Sequence, residues 1–319
     1  MRNFRIAVID TALNIDFLIE NAQDKIEVID FFDCKQKDIH SSIVINMLFK
    51  YTNRIEKIYL YNVFNNENKG SGIAVISALK DIILKNDIDF LIMAMTLSNA
   101  ERYDYIENLC KRITSLGIMI FAADSNIASE DIYYPFSFDC VYGISQAAFF
   151  KEPCYCIKNI LKKHILGDAA PEFINCRNNN YILFGGTSKA VPKFLAFIIN
   201  SFSSKKVVKN ENIVEWIEKN SLSEEDNYID KLKGHIFEDA YNRSVYDDLC
   251  EFITEMPLDL REYGEITPSF RLEKLRSYNL VVFLNYIFER FSLKVKLENL
   301  KYNDFITLSD LCCYIEGQL

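Results

Sequence analysis

Short apolar runs alternate with longer stretches of helical spacing through the first two-thirds of the chain. The runs at 4–10, 26–31, 57–63, 88–95, 117–123 and 140–144 predict strands. Between them, 40–51, 71–85 and 101–116 carry apolar residues three and four positions apart and predict helices, as do 190–203 and 211–220. Strand and helix in alternation predict a parallel sheet with helices on both faces, an α/β fold. Residues 222–243 are polar and mixed in charge, as in Ser223-Glu224-Glu225-Asp226-Asn227, and read as a linker. From 244 the pattern turns almost wholly helical: Val245 to Thr254, Leu280 to Phe291 and Leu308 to Ile315. Pattern alone therefore divides the chain into 1–221, a linker at 222–243, and a small all-α bundle at 244–319.

Composition narrows the setting. At 319 residues, half of them hydrophobic and a quarter charged, the chain can bury a sizeable core. A net charge of −9 speaks against nucleic acid as a partner and favours a cationic one. No apolar signal segment opens the chain and no stretch is long enough to span a membrane. Nine cysteines, scattered through apolar surroundings without paired metal spacing, predict reduced thiols and a cytoplasmic location. No acidic cluster has calcium-loop spacing, so neither metal nor cofactor is expected.

Three segments carry candidate chemistry. Phe184-Gly185-Gly186-Thr187-Ser188-Lys189-Ala190-Val191-Pro192 places a serine where a tight glycine turn opens a helix. There the backbone N–H groups and the positive dipole end favour a developing oxyanion. Arg5-Ile6-Ala7-Val8-Ile9-Asp10-Thr11 is an apolar strand ending in an acid, and Asp38-Ile39-His40-Ser41-Ser42 puts a histidine at the head of an apolar helix. Taken singly, Asp10 could be a turn former, His40 structural and Ser188 a helix cap. Together, in this order, they resemble the aspartate, histidine and serine segments of subtilisin-like serine peptidases. The resemblance covers residues 4–221 and implies Asp10, His40 and Ser188 as the catalytic triad.

The resemblance also implies an oxyanion residue and a substrate-pairing strand. In that family an asparagine follows a strand ending in small residues. Here Ala122-Ala123 runs into Asp124-Ser125-Asn126; Asn126 is the preferred donor, with Ser125 the alternative if no gap is allowed. Thr96, Leu97 and Ser98, after the apolar run from Ile88, match the segment that binds substrate backbone. Two positions depart from the pattern: Ser41-Ser42 stand where Gly-Thr is usual, and Asp124 replaces a glycine beside the oxyanion position.

The C-terminal stretch resembles an acyl or peptidyl carrier domain. The match runs from Phe270-Arg271-Leu272-Glu273-Lys274-Leu275 through Leu280 and its helix to Ile306-Thr307-Leu308-Ser309-Asp310-Leu311. Carrier domains attach phosphopantetheine to a serine in Asp-Ser-Leu; aligned on Leu280, this chain reads Tyr278-Asn279-Leu280, so Asn279 takes the serine's place and no prosthetic arm is expected. Leu272, Leu275, Leu280, Phe283, Leu284, Ile287, Phe288, Leu308 and Leu311 are the expected core.

These resemblances imply a cytoplasmic serine endopeptidase that cuts a dedicated peptide, such as the leader of a ribosomally made modified peptide. Residues 244–319 would dock a biosynthetic partner. A non-hydrolytic peptide-holding scaffold is the alternative, and an acyl-transferring enzyme using the same triad is a third.

Overall fold

The structure is a computed structural model. It describes residues 2–32, 38–67, 69–85, 87–97, 103–125, 134–149, 153–201, 210–227, 243–256, 260–275 and 277–319. Two compact units divide the chain, Met1–Ala170 with Gly185–Asp230, and Pro171–Phe184 with Lys231–Leu319.

The first unit is built on an eight-stranded sheet in the order β2-β3-β1-β4-β5-β6-β8-β7. Its strands are β1 (Phe4–Asp10), β2 (Ile26–Asp30), β3 (Ile55–Asn62), β4 (Phe90–Met93), β5 (Met119–Ala123), β6 (Tyr142–Ala147), β7 (Tyr155–Asn159) and β8 (His164–Asp168). Every pairing is parallel except that of the edge strand β7 with β8. Central strands are buried on both faces, which is why β1, β4 and β5 are apolar without alternation. The helices are α1 (His40–Tyr51), α2 (Gly72–Lys85), α3 (Tyr103–Ser115), α4 (Thr187–Ser201) and α5 (Asn210–Asn220).

Strand parity sorts the two faces. Ala7, Ile9, Leu91, Met93, Ile120 and Ala122 pack with Val75, Leu79, Ile106 and Ile113 of α2 and α3 in one apolar cluster. The alternate residues face the other way, where α1 and α4 lie together and Phe121 meets Phe194 edge-on at 5.9 Å. Asp10 shares the parity of Ile6 and Val8, so it belongs to the α1–α4 face.

Two features set the start of α4. Gly186, at φ +80°, takes the left-handed turn a side chain resists, and its N–H reaches Ala169 O at 2.9 Å. Pro192 has no N–H to give the carbonyl four residues back, that of Ser188.

In the second unit, a hairpin of β9 (Glu172–Asn175) and β10 (Tyr181–Phe184) accompanies α6 (Arg243–Glu255), α7 (Ser277–Arg290) and α8 (Leu308–Glu316). All nine expected core residues are buried. Thr307 and Asp310 form a reciprocal capping box at the head of α8. Asn279 lies in the first turn of α7 and donates to Tyr263 Oη at 2.7 Å.

Within 244–319 the described elements are all helical, and a hairpin from earlier in the chain joins them. The hairpin belongs to this unit, with buried Phe173 against Phe305 at 5.2 Å between ring centres. The chain thus leaves the first unit after Ala170 and returns at Gly185.

Candidate active site

Asp10 ends β1, 1% exposed, and both of its carboxylate oxygens meet His40 Nδ1, at 2.8 and 3.0 Å. Thr11 N–H also donates to Asp10 Oδ1 at 2.7 Å. A carboxylate accepting at Nδ1 fixes the hydrogen there, which leaves Nε2 as the basic nitrogen of the neutral ring. Burial by itself pulls the His40 pKa down. The charge and hydrogen bond of Asp10, with the charge of Asp38, outweigh that and raise it above the ordinary value. Asp38 has a second part, accepting from His40 N–H at 2.7 Å and so covering a free donor at the head of α1.

The serines after His40 explain one departure from the family pattern. Ser41 Oγ donates to Ala12 O at 3.0 Å, and Ser42 Oγ donates to Asn14 O at 2.8 Å while accepting from Asn14 N–H at 3.0 Å. Both are fully buried and pin the segment after Asp10 onto α1.

Ser188 is the second residue of α4, and its hydroxyl donates to Ala94 O at 3.3 Å. Ala94 directly follows Met93, the register partner of Ile9, so this carbonyl lies at the strand end beside Asp10. Asp10 and His40 are thus joined directly, and Ser188 is held at the same carboxyl edge of the sheet. Behind it, Asp168 Oδ2 accepts from Lys189 Nζ at 2.8 Å and from Lys193 Nζ at 2.7 Å, all three buried. Burial pushes the Asp168 carboxyl up; the two ammonium groups outweigh it and hold the pKa below the ordinary value. This ion cluster ties α4 to the end of β8.

Of the remaining expected residues, Asn126 and Ser98 lie outside the described residues. Leu97 donates its N–H to Tyr134 O at 2.7 Å and accepts from Tyr134 N–H at 3.3 Å. Both of its backbone groups are engaged by Tyr134. Ser125 N–H donates to Asp124 Oδ1 at 2.8 Å. Asp124 Oδ2 accepts from Ser145 Oγ at 2.8 Å, and His164 Nε2 is 3.2 Å from that oxygen. Motif reading passed over Ser145 and His164, because only the pairing of β6 with β8 brings them together. Among the described residues no group of three potential metal ligands is present, and no helix is long and apolar enough to cross a membrane.

No protein-family model matches the sequence, and no curated protein matches it. Solved structures do. Sphericase overlaps with a TM-score of 0.50 at 15% identity, over 68% of this chain and 83% of that one. A lanthipeptide protease gives 0.49 at 11%, over 68% and 79%. A cold adapted subtilisin-like serine proteinase gives 0.49 at 12%, over 69% and 84%. With its strand order and helix placement, this chain has a subtilisin-like α/β fold.

Proposed function

We propose that the protein is a serine endopeptidase acting through Asp10, His40 and Ser188. The observation that carries this reading is the buried Asp10 holding His40 Nδ1 with both oxygens, at the sheet edge where α4 presents Ser188. In the cycle, Ser188 Oγ turns from Ala94 O, attacks the scissile carbonyl and passes its proton to His40 Nε2. The imidazolium, stabilised by Asp10, returns that proton to the leaving amine as the C–N bond breaks and an ester remains. Water, deprotonated by His40, then releases the acyl group. Asn126, or Ser125 in its place, donates to the oxyanion, and the segment Thr96, Leu97 and Ser98 binds the substrate.

The substrate is a dedicated peptide, and the leader of a ribosomally made modified peptide fits the role. A peptidase sharing its compartment with other proteins needs selectivity, and the second unit of the same chain is a surface that can supply it without a prosthetic arm. The cytoplasm is the expected compartment for a chain whose nine cysteines are scattered through apolar surroundings without paired spacing.

A fluorophosphonate probe tests the chemistry. The wild-type protein should be labelled at Ser188, and Ser188→Ala should lose both labelling and cleavage while still binding peptide. Folded protein that resists the probe would favour a peptide-holding scaffold. Digestion of unrelated unfolded protein at many sites would defeat the dedicated substrate.

A further inference from the structure

Asp124 is a polar node with every hydrogen-bonding group used. Its N–H donates to Ile144 O at 2.9 Å, and its carbonyl accepts from Thr187 Oγ1 at 2.7 Å. Its carboxylate accepts from Ser125 N–H at 2.8 Å and from Ser145 Oγ at 2.8 Å. Because the single hydroxyl hydrogen of Ser145 goes to Asp124, the 3.2 Å contact with His164 is completed by a hydrogen on Nε2. The His164 ring is itself fixed by the edge of Phe136, 4.4 Å between centres. The result is a directed relay from His164 through Ser145 to Asp124, spanning three neighbouring strands.

Parity says where this carboxylate points. Phe121 and Tyr142 stack on the face of α4, whereas Ile120 and Ala122 pack with α2 and α3. Asp124 continues the second series. Its charge is therefore turned to the face opposite Ser188, and only its carbonyl reaches the α4 side, at Thr187.

We infer that Asp124 is a positioning residue: anchored by Ser145 and His164, it fixes the strand exit at Ser125 and, through Thr187, locks that exit in register with Ser188. A loop that carries an oxyanion donor must hold it to a fraction of an ångström relative to the attacking oxygen, because misplacement of about 1 Å costs on the order of 100-fold. A glycine here would leave the exit free to swing. An aspartate, braced on both oxygens, does not. This inference rests on the peptidase reading.

Fluorophosphonate labelling of the full chain tests both separately. In Asp124→Gly and Ser145→Ala, the maximal labelling rate should fall by about 10- to 100-fold, with half-saturating probe concentration within about threefold of wild type. The acid limb of the rate profile, set by His40, should not move. Asp124→Asn, which keeps an acceptor for Ser125 and a polar arm for Ser145, should recover most of the rate. Wild-type rates in both Asp124→Gly and Ser145→Ala overturn the inference, as does an Asn variant no better than Gly. If one variant fails to fold, the other decides alone. Absence of Ser188 labelling in the wild-type protein overturns the peptidase reading, and this inference falls with it.

Discussion

In the proposed mechanism, the raised pKa of His40 makes activity and stability run in opposite directions with pH. As a base, His40 works only when neutral, so the acid limb of the labelling rate should lie above the ordinary histidine value of 6.5. The ion pair with Asp10 stabilises the fold fully below that value and is lost as pH rises through the raised one. Asp38→Asn removes one of the two charges that raise the pKa, so the midpoint of the limb should move down while the plateau is kept. A rate profile that follows pH identically in wild type and Asp38→Asn would contradict this assignment. Asp168 has the opposite sign: its lowered pKa gives stability present above the ordinary carboxylate value and lost as pH falls through the lowered one.

Between elements, the approach of α4 to the sheet depends on Gly167. A Cβ added there would come to 2.8 Å from Ile144 Cγ2 and 3.1 Å from Ala190 Cβ. Gly167→Ala should therefore cost about 1–3 kcal/mol in denaturant melts and slow labelling of Ser188, since relief of the clash moves α4. Unchanged labelling would show that this packing does not set the serine. Much of this architecture was legible beforehand. Buried runs such as Phe4–Asp10 and amphipathic stretches such as His40–Tyr51 announce themselves by period, and the motif residues fall at their ends. What escaped were β7, β8 and the hairpin of β9 and β10, which no predicted run covered. Their strands are only four or five residues long and partly exposed, and β7 and β9 mix in lysine, asparagine and glutamate, so no period emerges. Those same strands hold His164, Gly167 and Asp168. The braces around Ser188 were therefore hidden, while the segments that carry Asp10, His40 and Ser188 were visible.

Taken whole, the molecule crosses between its units more than once. In sequence, the hairpin of the second unit interrupts the first between Ala170 and Gly185, and it ends at Phe184, three residues before Thr187 opens α4. Deleting 244–319 removes Phe305, whose ring packs against Phe173. Limited proteolysis of that truncated chain should cut first within 171–184, whereas the full chain should resist there. Equal resistance in both would mean the hairpin stands without its unit. This threading also has a meaning in time. During synthesis, at about 5–20 residues per second, Asp10, His40 and Ser188 all leave the ribosome before any of residues 231–319 exists. The hairpin must wait for its partners while the serine beyond it is already made. A nascent chain therefore carries an unpacked hairpin for some seconds, until residues 243–319 are made and Phe305 can meet Phe173.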